Sequence, residues 1–126
     1  MANKIVISTF NITSSIIKLS DNTLGRRYNI DLSTLTNIPT SIPKGAIVIR
    51  GSSGWGLLTN NTVNENDLIG VILDDIDNSS ASTTIEADVL THGKVIKEFL
   101  KYYDDSSSQF QSISSFDDLH PRIQAI

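Results

Sequence analysis

From its first residues the chain sets apolar patches between short polar breaks. KIVISTFNITSSIIKL places Ile5, Ile7, Ile12, Ile16, Ile17 and Leu19 among Ser, Thr and Asn, which favours extended over helical structure. Asp21-Asn22 and Gly25 punctuate a turn. RYNIDLSTL then alternates, with Tyr28, Ile30 and Leu32 on one face and Asn29, Asp31 and Ser33 on the other. The spacing predicts one or two strands, or an extended arm. In IPTSIPKGA, Pro39 and Pro43 withhold ladder donors and bias their predecessors to extended geometry, so this stretch reads as a connector. The chain therefore divides into an arm or contact region over residues 1–41 and a β-rich domain over residues 42–126.

Within the second part, AIVIRGSSGWGLLTNN predicts a hairpin. A strand from Ala46 to Arg50 turns at Gly51-Ser52-Ser53-Gly54 and returns from Trp55 to Thr59. LIGVILDDI carries apolar residues on both faces, the mark of a central buried strand. DNSSAS turns, and TTIEADVLTHG returns with Ile85, Ala87, Val89 and Thr91 alternating against Glu86, Asp88, Leu90 and His92. In VIKEFLKYYDD the apolar residues Val95, Ile96, Phe99, Leu100 and Tyr103 fall at helical spacing, predicting a short amphipathic helix. FDDLHPRIQAI predicts one helical turn stopped by Pro121, then an extended end. The fold class expected is mainly β (β+α): a small β-barrel or sandwich-like domain with one short helix and an extended N-terminal arm or added strands.

Composition narrows the function. The 126 residues suit one domain, and the hydrophobic fraction of 39% suits one modest core. Ile, Val and Thr are stiff at χ1 and fit pleated surfaces. A net charge of −4 and a pI near 4.9 argue against nucleic acid as the main partner, since phosphate neutralisation needs a basic stripe. Arg26-Arg27 and the set Lys94, Lys97 and Lys101 are the only cationic groupings, and both sit among acids. Without cysteine there is no disulfide framework, thiol nucleophile or Cys-based zinc site. No apolar run approaches the roughly 18 residues of a membrane span, and a soluble protein is expected.

The acids Asp74, Asp75 and Asp77 beside Asn78 raise a metal cradle or a carboxylate cluster. Calcium loops set oxygen ligands at alternate positions, then need a glycine and a distal glutamate. Asp75 and Asp77 fit the start, Ser79 follows, and the glycine and glutamate are missing, so a strand end and Asx-type turn fits better. His92 and His120 have no partner at ligand spacing. GSSGWG lacks the Lys-Ser/Thr ending of a phosphate loop. The expectation is a non-enzyme with no catalytic residue, no cofactor and no metal. Trp55, Tyr102 and Tyr103 are candidate oligomer-interface anchors, with core packing as the alternative. Ile5, Ile7, Phe10, Ile12, Ile16 and Ile17 are candidate contacts to a partner's sheet edge.

The order of pieces resembles the lambda-type head decoration proteins of tailed bacteriophages. It is carried by Lys44-Gly45-Ala46-Ile47-Val48-Ile49, Gly54-Trp55-Gly56-Leu57, Ile69-Gly70-Val71-Ile72-Leu73-Asp74-Asp75-Ile76-Asp77 and Asp88-Val89-Leu90-Thr91-His92-Gly93-Lys94-Val95, then the ending FDDLHPRIQAI. It covers residues 42–126; Pro121-Arg122 stands where that family favours glycine, and residues 1–38 are long and apolar for that family's arm. The resemblance implies a structural virion protein on the outer capsid surface, assembled in the host cytoplasm. It further implies a homotrimer that cements neighbouring capsomers, with the major capsid protein as partner and neither nucleic acid nor membrane bound directly. Two readings stay open beside it: a head-fibre base or tail adaptor, and a small metal-binding or enzymatic β domain built on the Asp74/Asp75/Asp77 cluster.

Overall fold

A computed structural model describes residues 24–126. The alternation around Tyr28 and Ile30 belongs to β1 (Leu24–Asp31). A two-residue strand β2 (Ser41–Ile42) precedes the hairpin of β3 (Ile47–Gly51) and β4 (Gly54–Leu57). Then come β5 (Thr62–Val63), β6 (Ile69–Ile72), β7 (Ile76–Asp77) and the long β8 (Thr84–Val95). The C-terminal part holds β9 (Lys101–Asp104), β10 (Gln109–Ser112), β11 (Ser115–Phe116) and β12 (Ile123–Ala125).

Five strands close into a barrel in the order β1-β4-β3-β6-β8, with β8 pairing back to β1. Closure satisfies backbone groups that a flat sheet would leave along its edges. The β1–β8 ladder is antiparallel from Leu24↔His92 to Asp31↔Thr84, whereas β1 meets β4 in parallel only at Ile30↔Trp55 and Asp31↔Gly56. The β3–β4 hairpin turns at Ser52-Ser53, as expected; Gly54 pairs with Gly51 at a φ of 119° that disfavours a side chain. β12 adds in parallel to the far end of β8, at Gly93 to Val95.

Two apolar clusters lie on opposite faces of this sheet. Inside the barrel are Ile30, Leu32, Ile42, Ala46, Val48, Leu57, Ile72, Ile85, Ala87, Val89 and Tyr103. Outside it, Ile47, Ile69, Val71, Leu90 and Val95 pack against Leu58, Val63 and, from the C-terminal segment, Leu100, Ile113, Phe116 and Ile123. β6 is buried along its whole length, as its two-faced apolar run predicts. Gly70 is required there by a close approach. A Cβ built on it would lie 2.2 Å from Val89 Cγ1 and 3.2 Å from the Leu90 carbonyl oxygen.

Two expectations change. The amphipathic helix over residues 95–103 is absent: β8 runs through Val95, a single 3-10 turn spans Lys97–Phe99, and β9 follows. Strand pairing on both sides overrides the local helical spacing. The segment before Pro121 forms a turn, with the Leu119 N–H donating to Asp117 Oδ1 at 2.9 Å, and the extended end is β12. The N-terminal region joins the barrel: of its two alternatives, an arm or added strands, residues 24–31 are an added strand, β1, and Ile30 and Leu32 are fully buried in the interior. Residues 1–23 lie outside the described residues.

Candidate functional site: the open end of the barrel

Each barrel strand sends alternate side chains inward, and following these rows to one end changes their chemistry. On β1 the row runs Leu32, Ile30, Tyr28, Arg26; on β3 it runs Val48, Arg50; on β4, Leu57, Trp55. On β6 it passes Ile72 and Gly70 and reaches Leu68; on β8 it passes Val89 and reaches Thr91. These terminal positions line an open concavity of about 320 Å³, to which His92 and Arg122 also contribute. The registers bring them together. Trp55 pairs with Ile30 on one side and Arg50 on the other, and the Arg50 N–H donates to the Leu68 carbonyl at 2.8 Å. The Tyr28 and Trp55 rings, 5.3 Å apart and inclined at 44°, form its half-buried aromatic floor. Leu68 is 44% exposed, a large apolar side chain left facing water.

Charge is distributed unevenly between the two faces of β1. Arg27, on the outer face, reaches Asp88 at 3.2 Å and Glu86 at 3.4 Å. Hydrogen bonds to Asp88, then to Glu86, raise its pKa. With all three side chains well exposed, these bridges add little stability. Arg26, Arg50 and Arg122 have no acidic partner among the described residues, although the chain as a whole is acidic. Among the described residues no carboxylate lines the concavity. A guanidinium only donates, and so does the Trp55 indole N–H. The arrangement suits a ligand that brings acceptor oxygens and apolar surface together.

The other candidates fall elsewhere. Asp75 Oδ1 accepts the Lys44 N–H at 3.0 Å and Asp77 Oδ1 accepts the Ser79 N–H at 3.0 Å, so the two carboxylates serve separate turns. Asn78 is buried and ties that turn to the N-terminal part, its Nδ2 donating to the Pro39 carbonyl at 2.9 Å and its Oδ1 accepting from the Ser82 N–H. No group of three or more His, Asp or Glu side chains able to hold a metal ion occurs among the described residues. His120 is buried, and its Nδ1 accepts the N–H groups of Arg122 and Ile123; its Nε2 therefore carries the proton and donates to the Asp67 carbonyl at 2.9 Å. His92 stands at the rim of the concavity.

Of the three aromatic candidates, only Trp55 is at this site. Tyr102 is half-buried against the outer cluster. Tyr103 is 1% exposed, packs on Phe110 at 4.8 Å and donates its hydroxyl to the Asn37 carbonyl. Burial raises its pKa. It is a core residue and offers this chain no free interface. Ile5, Ile7, Phe10, Ile12, Ile16 and Ile17 lie outside the described residues. Sequence reasoning missed Arg26, Arg50 and Arg122. Extending the Tyr28/Ile30/Leu32 alternation backwards by two reaches Arg26, and extending Val48 forwards by two reaches Arg50, but Arg122 arrives only through the pairing of β12. No protein-family model, curated protein or solved structure matches the chain.

Proposed function

We propose that this chain is a non-enzymatic structural binding module that decorates the outer face of a tailed-phage capsid, binding the major capsid protein as a homotrimer and tying neighbouring capsomers together. The observation that carries the binding reading is the open barrel end. It gathers Trp, Tyr and Arg, the residue types that supply most interface hot-spot energy, at an exposed concavity. The capsid as partner is supported by the order of the sequence motifs that resemble the decoration proteins. A cementing protein needs complementary surface and no reacting group. Binding the assembled shell but not its separated parts stabilises the shell by mass action, and threefold repetition adds avidity without tight single contacts.

The test is addition of the purified protein to expanded, undecorated capsids of the phage whose major capsid gene adjoins its own. Saturation near one copy per major capsid subunit, with a raised capsid disruption temperature, is expected. Failure to bind the lattice overturns the reading.

A further inference from the structure

Two features meet at the open end of the barrel. The first is chemical: Arg26, Arg50 and Arg122 surround the Tyr28–Trp55 floor with no salt bridge to an acid among the described residues, and Leu68 is left in water beside them. The second is a strand edge. β1 is fully laddered to β8, but on its other side it meets β4 only at Ile30 and Asp31. From Leu24 to Asn29 that edge has no ladder partner among the described residues. Unpaired backbone along a strand is a template for an added strand.

We propose that this edge and the concavity beside it form a docking site for an extended acidic peptide segment of a protein partner. The segment adds its backbone to the free edge of β1. Its carboxylates meet the three guanidinium groups, and an adjacent Leu-like or aromatic side chain covers Tyr28, Trp55 and Leu68. The proposal deepens the binding-module reading and rests on it.

Charge and size select this occupant. Guanidinium groups match planar carboxylates with two-pronged hydrogen bonds. A hydroxyl-rich ligand needs acceptors as well, and the wall offers few: Thr91 and His92 are already bonded to each other at 3.2 Å. A concavity of about 320 Å³ is at the small end of ligand sites and accommodates a few side chains. A nucleic acid extends well beyond such a mouth and there meets a chain of net charge −4. Residues 1–23 of the same chain carry Lys4 and Lys18 against Asp21, so they bring no net negative charge to the arginines.

The experiment pans a randomised heptapeptide library against the full chain and against a variant carrying Arg26→Gln, Arg50→Gln and Arg122→Gln. All three arginines are exposed and their side chains hold no group among the described residues, so the variant should melt within a few degrees of the parent. Peptides with two or more Asp or Glu beside Leu, Phe or Trp are expected from the parent and not from the variant. The best of them, synthesised with blocked ends and free of tryptophan, should shift the fluorescence of Trp55, the only tryptophan in the chain. Its affinity should drop about tenfold in Arg50→Gln, in line with loss of one charge-assisted hydrogen bond, and disappear when its acids become Gln or Asn.

Enrichment without acidic residues, equal binding of the amide peptide, or indifference to the arginine changes overturns the proposal. Displacement of the peptide by a single-stranded oligonucleotide at equal concentration assigns the mouth to nucleic acid and overturns it too. Self-association in sedimentation that Arg50→Gln abolishes, with no peptide enriched, assigns the mouth to a second copy and has the same effect. The two readings separate cleanly. Acidic-peptide binding without capsid binding removes the decoration reading alone, and capsid binding unaffected by the arginine variant removes this inference alone.

Discussion

The two ends of the barrel are built from the same strands and differ in what their inward rows become. At one end Leu32 ends the β1 row and is closed over by Ile42 and Tyr103, which come from β2 and β9 outside the five strands, with Leu35, Ile38 and Phe110 packed there too. The connector there is pinned by Asp105, whose carboxylate accepts the N–H groups of Thr36 and Asn37, each at 2.8 Å. At the other end the rows finish in Arg26, Arg50, Trp55 and Leu68 around an open concavity. The change in chemistry is made by the last one or two residues of each row, and at the open end β1 also runs past β4, with no ladder partner on that side from Leu24 to Asn29 among the described residues. Stability is concentrated where those residues are apolar and covered, and the recognition proposed for this chain falls where they are long, cationic and uncovered.

Breaking the closed end should have the largest effect. Tyr103→Ala is expected to remove about 3–5 kcal/mol of unfolding free energy, the range for deleting a buried aromatic, while Trp55→Ala at the half-buried floor should remove less. Urea denaturation of both variants measures the difference, and equal losses would erase the contrast between the ends. Gly70→Ala sharpens the picture of the layer just beneath the mouth. Its new methyl group would collide with Val89, and overpacking of this kind costs about 1–3 kcal/mol. A neutral outcome in the same denaturation assay would mean that the interior is loose below the open end.

The smallest expected effect is on pH dependence. Asp31 and Asp104 flank the closed end, and both carboxyls are held below their ordinary range. For Asp31 the cause is hydrogen bonding from Ser33, and for Asp104 it is hydrogen bonding from Ser106, then Ser107. A depressed folded-state pKa contributes stability that is present above the unfolded value and is lost as pH falls through the folded one. Acid below the usual aspartate range should therefore loosen the closed end first. Hydrogen exchange on Ser33 and Ser106 should accelerate below the usual aspartate range before exchange on Arg50 does, and Asp104→Asn should flatten the response at Ser106.

Much of the fold was legible where one strand carries its own signature. The two-faced apolar run of β6, the alternation of β8 and the glycine-flanked turn between β3 and β4 all state their environment locally. The helix expected over residues 95–103 shows why such signatures can mislead. Val95 and Leu100 are buried in the outer cluster and Tyr103 in the inner one, so their helical spacing serves two different cores rather than one helix face. Pro39 and Pro43 read as a linker, yet Pro39 is buried and its carbonyl accepts from Asn78. The open end was least legible, because its arginines converge only through the registers of strands far apart in sequence.

The complete burial of β6 has a consequence for how the protein unfolds. Ile69 and Val71 belong to the outer cluster and Ile72 to the inner one, and β8 likewise gives Leu90 to the first and Val89 to the second. Neither cluster can be dismantled without exposing strands that the other needs. The C-terminal segment and the barrel should therefore melt as one cooperative unit, with calorimetric and van't Hoff enthalpies in agreement, although they are successive stretches of the chain.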